Sequence, residues 1–124
     1  MGNPVTYFEI AGKDTEKLND FYCSVFEWKT QANPNGVNHF IETNSDEGIQ
    51  GHILAVTEDM PMENGISLYI EVDDLQAYLS KAESLGGKTI VPPQVIGENM
   101  GSFAMFLDPG GNCIGLYRHP DSRQ

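Results

Sequence analysis

Apolar residues in this chain recur with two periods, and the two alternate in the same order twice. The segments "VTYFEI" (5–10) and "GISLYIEV" (65–72) are rich in β-branched and aromatic residues and predict strands. Each runs into an Asp able to cap a helix, Asp14 in the first case and Asp74 or its neighbour Asp73 in the second. Leu18, Phe21, Tyr22, Val25 and Phe26 then recur at helical spacing, as do Leu75, Tyr78, Leu79, Ala82 and Leu85. Both stripes are expected to face a core. Gly86 and Gly87 offer the second helix a left-handed stop.

Three further strands are expected after each helix. In the first half they are "WKTQ", "NHFIET" and "GHILAV", divided by "NPNG" and the polar loop "NSDEGIQ". In the second they are "KTIVPPQVI", "SFAMFLD" and "CIGLYR", with "DPGG" as the last turn. Pro92 and Pro93 place the first of these at an edge or a kink, because proline cannot donate to a ladder. A constant offset of 60 brings Ile10 onto Ile70 and Asp14 onto Asp74. The chain thus reads as two βαβββ modules, 4–58 and 65–118, in a single α+β domain over 1–124.

Composition narrows the function classes. A length of 124 residues with 40% hydrophobic and 20% charged content suits one domain with a core. No apolar stretch has the length of a membrane span, and no secretory signal is expected at "MGNPVTYFEI". The net charge of −11 repels phosphate backbones and anionic lipid, so neither nucleic acid nor membrane is expected as a partner. Cys23 and Cys113 lack CxxC spacing, and reduced thiols in a cytoplasmic protein are the simplest reading.

Three stretches carry a resemblance: "DTEKLNDFYCSVFEWK", "YIEVDDLQAYLSKAESLGGK" and the closing "FLDPGGNCIGLY". In their order and spacing they resemble the vicinal oxygen chelate superfamily, which includes glyoxalase I, bleomycin-resistance proteins and extradiol dioxygenases. The resemblance covers nearly the whole chain. It implies that the eight strands curl into a half-open barrel around a cleft, with both helices outside. It also implies four inward positions that hold a divalent metal through His and carboxylate side chains in the metal-dependent members. The first-strand position, fifteen residues before Tyr22, falls on Tyr7, and the one opening the second half falls on Ser67. The last-strand carboxylate position falls on Gly115, and the fourth lies between Gly51 and Ile53. Tyr, Ser and Gly do not replace His, His and Glu at a transition metal, so the metal-deficient branch is expected, with no metal and no cofactor.

Strand alternation then lists the inward residues. Tyr7, Glu9, Ser67, Tyr69, Glu71, Cys113 and Tyr117 should face the cleft, while Phe8, Ile10, Leu68, Ile70, Ile114 and Leu116 should face the helices. Tyr7, Glu9, Ser67, Tyr69, Glu71, Met105 and Tyr117 are the candidate ligand-binding residues, with Met100 and Trp28 as further parts of a soft aromatic wall. Glu9 and Glu71 are the candidate acid–base groups, since a carboxylate in an apolar cleft can be tuned for proton transfer. A relocated metal site of His52, His39 and Glu9 or Glu42 is the other arrangement on offer, and His119 lies in the tail. The loops "MPMENG" and "IGENMGSF" are candidate lids. The expected function is binding of a small organic molecule without the usual metal centre. The alternative is a glyoxalase-like lyase or related enzyme, metal-free or with a relocated metal. The resemblance also implies a homodimer.

Overall fold

The computed structural model describes residues 2–34, 36–43, 47–60 and 65–120. Among them the order of elements is β1 (Val5–Gly12), α1 (Thr15–Phe26), β2 (Lys29–Ala32), β3 (His39–Glu42), β4 (Gln50–Ala55), β5 (Gly65–Glu71), α2 (Leu75–Ser84), β6 (Lys88–Val95), β7 (Ser102–Leu107) and β8 (Cys113–Arg118). This is the expected α+β architecture of two βαβββ modules. The candidate lid "MPMENG" falls largely outside the described residues, which stop at Met60 and resume at Gly65.

Contacts divide the chain into two units, Tyr7–Ile66 and Ser67–Gln124, the latter joined by the N-terminal residues as far as Thr6. Each has the same topology. In the first the strands are ordered β2-β3-β4-β1, with β1 and β4 parallel and the other pairs antiparallel. In the second the order is β5-β8-β7-β6, with β5 and β8 parallel. β6 is an edge strand, and its register slips between Thr89 and Val91 and again between Val91 and Gln94. Pro92 and Pro93 lie in that second slip, where no ladder donor is required.

The helices begin as the capping residues predict. The Asp14 side chain accepts from the Lys17 amide, and Asp74 accepts from the Ala77 amide, each at 3.1 Å. α2 packs Leu75 and Leu79 with Val72, Ala104 and Leu116, and Ile70, Tyr78 and Phe106 border this cluster. After it, Gly86 takes a positive φ of 106°. α1 differs: its turn out of the helix is made by Glu27, a non-glycine at φ 59°, whose amide donates to the Cys23 carbonyl.

The helical stripes need correction. Phe21, Val25 and Phe26 of α1 are exposed, as is Leu85 at the end of α2. On α1 the inward side is drawn by Tyr22, which stacks on Trp28 with ring centroids 5.4 Å apart. Leu68, expected in the core, is also exposed, because the cluster beneath α2 extends along β5 only to Ile70. Strand parity alone did not show where the helix would end over the sheet.

The turn "DPGGN" is tied by one carboxylate. Asp108 accepts from the amides of Gly110 and Asn112, each at 2.9 Å, and from the Asn112 side chain. Those bonds, the Asn112 side chain foremost, hold the Asp108 carboxyl below its ordinary range. Gly111 has φ 90°, a left-handed value that favours glycine. The turn therefore sets the entry of β8 and the register that puts Gly115 opposite Tyr69.

Candidate functional site

In the first unit, β1 and β4 run parallel with Glu9 opposite His52 and Ile10 opposite Ile53. Residues on facing positions share a side of the sheet, so Glu9 and His52 point together, and Tyr7 follows by the period of two. Phe40 joins them from β3, where it is paired with His52. The opposite side carries Phe8, whose ring meets Trp28 at 5.8 Å, and Ile10, Ile41 and Ile53.

On the first side the three polar groups are joined in a chain. His52 Nε2 lies 2.8 Å from Glu9 Oε2, and His52 Nδ1 lies 3.1 Å from the Tyr7 hydroxyl. Glu9 is 3% exposed, whereas His52 keeps 21% of its side chain open. A buried carboxylate requires donors, and the imidazole supplies one. In the tautomer that donates from Nε2 to Glu9, Nδ1 is left to accept from Tyr7.

His39 does not join this group. It pairs with Ile53, so it lies on the α1 side of the sheet, opposite to His52. It is 6% exposed, and its Nε2 has no hydrogen-bond partner. Glu42 is paired with Lys29 and is exposed. The relocated site of His52, His39 and a carboxylate is thus divided between two faces. Among the described residues no three His, Cys, Asp or Glu side chains are grouped to hold a metal ion.

In the second unit the corresponding register is Tyr69 with Gly115 and Glu71 with Tyr117. A Cβ on Gly115 would lie 2.8 Å from Tyr69 Cζ and closer still to Cδ2 and Cε2. The place where the resemblance expects a carboxylate is therefore filled by an aromatic ring, and glycine is the residue that admits it. Tyr69 is 8% exposed, and Ser67 precedes it by one period. Met105, also opposite Gly115, is 1% exposed and offers no surface to a ligand. Trp28 stacks on α1 instead of lining the candidate side, and Met100 is exposed.

Tyr117 donates to the Met100 carbonyl at 3.0 Å, and the intervening Gly101 has φ 86°. Desolvation, followed by the nearby Glu71 charge, raises the Tyr117 phenol above its ordinary range. The "IGENMGSF" segment is thus tied to β8 through Tyr117. His119 meets the Tyr117 ring edge-on and is exposed.

The offset of 60 matches Glu9 to Tyr69, and the two registers then match His52 to Gly115. His52 therefore occupies, by register, the fourth position that the resemblance left between Gly51 and Ile53. Its signal was the strand pairing, invisible before β1 and β4 were placed together. By residue type, neither unit's pair of positions suits a metal ion. In the first unit Tyr7 and His52 are hydrogen-bonded to each other; in the second Ser67 is a weak donor and Gly115 has no side chain.

A profile of the Glyoxalase/Bleomycin resistance protein/Dioxygenase superfamily matches residues 5–116. The chain belongs to this superfamily. A glyoxylase-like domain-containing protein from Didymella fabae is 29% identical over 125 residues, covering 94% of each chain. The fold is shared with a superfamily member from Vibrio splendidus, at a TM-score of 0.62 and 12% identity over 94% of this chain and 99% of that one. It is also shared with methylmalonyl-CoA epimerase from Mycobacterium tuberculosis, at a TM-score of 0.63 and 17% identity over 93% and 87%. The superfamily expected from "FLDPGGNCIGLY" is thus the one found.

Proposed function

We propose that this superfamily member binds a small organic molecule and does so without the metal centre of its metal-dependent relatives. The packing of Tyr69 over Gly115 carries this reading, because restoring a carboxylate there would require the ring to leave. Taken unit by unit, the groups proposed for ligand binding are Tyr7, Glu9 and His52 on the first unit's sheet, and Ser67, Tyr69, Glu71 and Tyr117 on the second's. Two carboxylates among them and a net charge of −11 favour neutral or cationic ligands. A coenzyme A ester, the substrate type named for the mycobacterial epimerase, would bring several negative phosphates against that charge. A homodimer belongs to the same reading, supported by the exposed Phe21, Val25 and Phe26 on α1.

Thermal-shift measurements with neutral and cationic aromatic compounds test it. Dose-dependent stabilisation is expected from members of one of these classes, weakened in Glu9→Gln or Glu71→Gln. A broad library that stabilises nothing, or stabilises equally in both variants, contradicts the proposal.

A further inference from the structure

The chain from Glu9 through His52 to Tyr7 has a composition that ligand binding alone does not require. A buried carboxylate fixes one imidazole nitrogen, and the other meets a hydroxyl. This is the arrangement of an activated nucleophile: a hydroxyl within reach of a base, and the base oriented by a third group. Each member has its own reason to stay in place. β1 and β4 pair Glu9 with His52 directly, and Tyr7 stands one period earlier on the same strand as Glu9. Phe40 faces His52 from β3, so Glu9 and Tyr7 are the titratable groups that the neighbouring strands β1 and β3 present to it.

We propose that Glu9, His52 and Tyr7 form a metal-independent acyl-transfer unit acting on small uncharged or cationic esters. Tyr7 is the nucleophile, His52 the general base and Glu9 the positioning residue. The Tyr7 hydroxyl gives its proton to His52 Nδ1 as its oxygen bonds to the acyl carbon. The ester C–O bond then breaks, and the alcohol departs with the proton from His52. Water, with His52 again taking a proton, cleaves the acyl-tyrosine to the free acid and restores the phenol. The sum is ester plus water giving acid plus alcohol. The net charge of −11 selects against anionic esters, which leaves uncharged and cationic ones as the substrate class. This chemistry rests on contacts within β1 and β4 and stands whether or not the ligand reading holds.

p-Nitrophenyl acetate is the probe, with release of p-nitrophenolate followed by absorbance and the acetylated residue located by peptide mass spectrometry. One acetyl group on Tyr7 is expected, with Tyr22, Tyr69, Tyr78 and Tyr117 as internal comparisons. Tyr7→Phe should abolish that adduct, and His52→Ala should slow it about 10²-fold or more, the usual worth of a general base. His52→Gln serves where the alanine variant does not fold, with circular dichroism checking both. For Glu9, imidazole nitrogen NMR gives a readout that a packing role would not move. The native chain should show hydrogen on Nε2, and Glu9→Gln should transfer it to Nδ1, since a side-chain amide can donate to Nε2. Acetylation confined to lysines, His119 or the N-terminus overturns the proposal. A Tyr7 adduct formed at an unchanged rate in folded His52 variants overturns it equally.

Discussion

Gly115 is the residue at which fold and chemistry part. A methyl group there cannot coexist with the Tyr69 ring in its present position. Gly115→Ala is expected to cost about 1–3 kcal/mol, the usual range for overpacking. Tyr69→Ala in the same chain should recover part of the loss, and denaturant midpoints of the single and double variants read the coupling. His39 gives a second test. Its orphaned Nε2 is a buried polar atom without compensation, so His39→Leu should leave stability unchanged or raise it by about 1 kcal/mol. Tyr117 gives a third. Its phenol is raised in the folded chain, so its contribution is complete below the unfolded value of about 10 and is lost as pH rises through the folded value. Stability measured between pH 8 and pH 11 should therefore fall less steeply in Tyr117→Phe than in the parent, beyond what the remaining tyrosines impose.

Elements were more legible than the contacts between them. Caps at Asp14 and Asp74 and the prolines of β6 are local chemistry, and all three appear where the residues place them. Loss of one cap, in Asp74→Ala, should cost about 1 kcal/mol by thermal or denaturant unfolding. What sequence could not show was register. His39 and His52 look equally available along the chain, yet the pairing of His39 with Ile53 sends the two rings to opposite sides of the sheet. The partnership of Glu9 and His52 likewise exists only across two strands separated by α1, β2 and β3. The apolar residues of α1 were misjudged for a related reason. A helical period shows which residues share a stripe, while Tyr22 and Trp28 decide how much of that stripe is covered.

At the scale of the whole molecule, the repeated βαβββ order was readable because it rests on period, caps and turns, which are all short-range. The metal question is not short-range, since the positions that the resemblance matches to metal ligands lie on strands far apart in sequence. On the proposed metal-independent reading, the chain keeps the superfamily's fold, while those positions hold Tyr7 and His52 in one unit and Ser67 and Gly115 in the other, residue types unsuited to a divalent transition metal. The direct measurement is elemental analysis of the native protein after incubation with zinc, nickel, iron and manganese in turn, followed by dialysis. Far less than one metal ion per chain is predicted for each, with the same value in His52→Ala. One ion per chain, lost in His52→Ala, would contradict metal-independent binding.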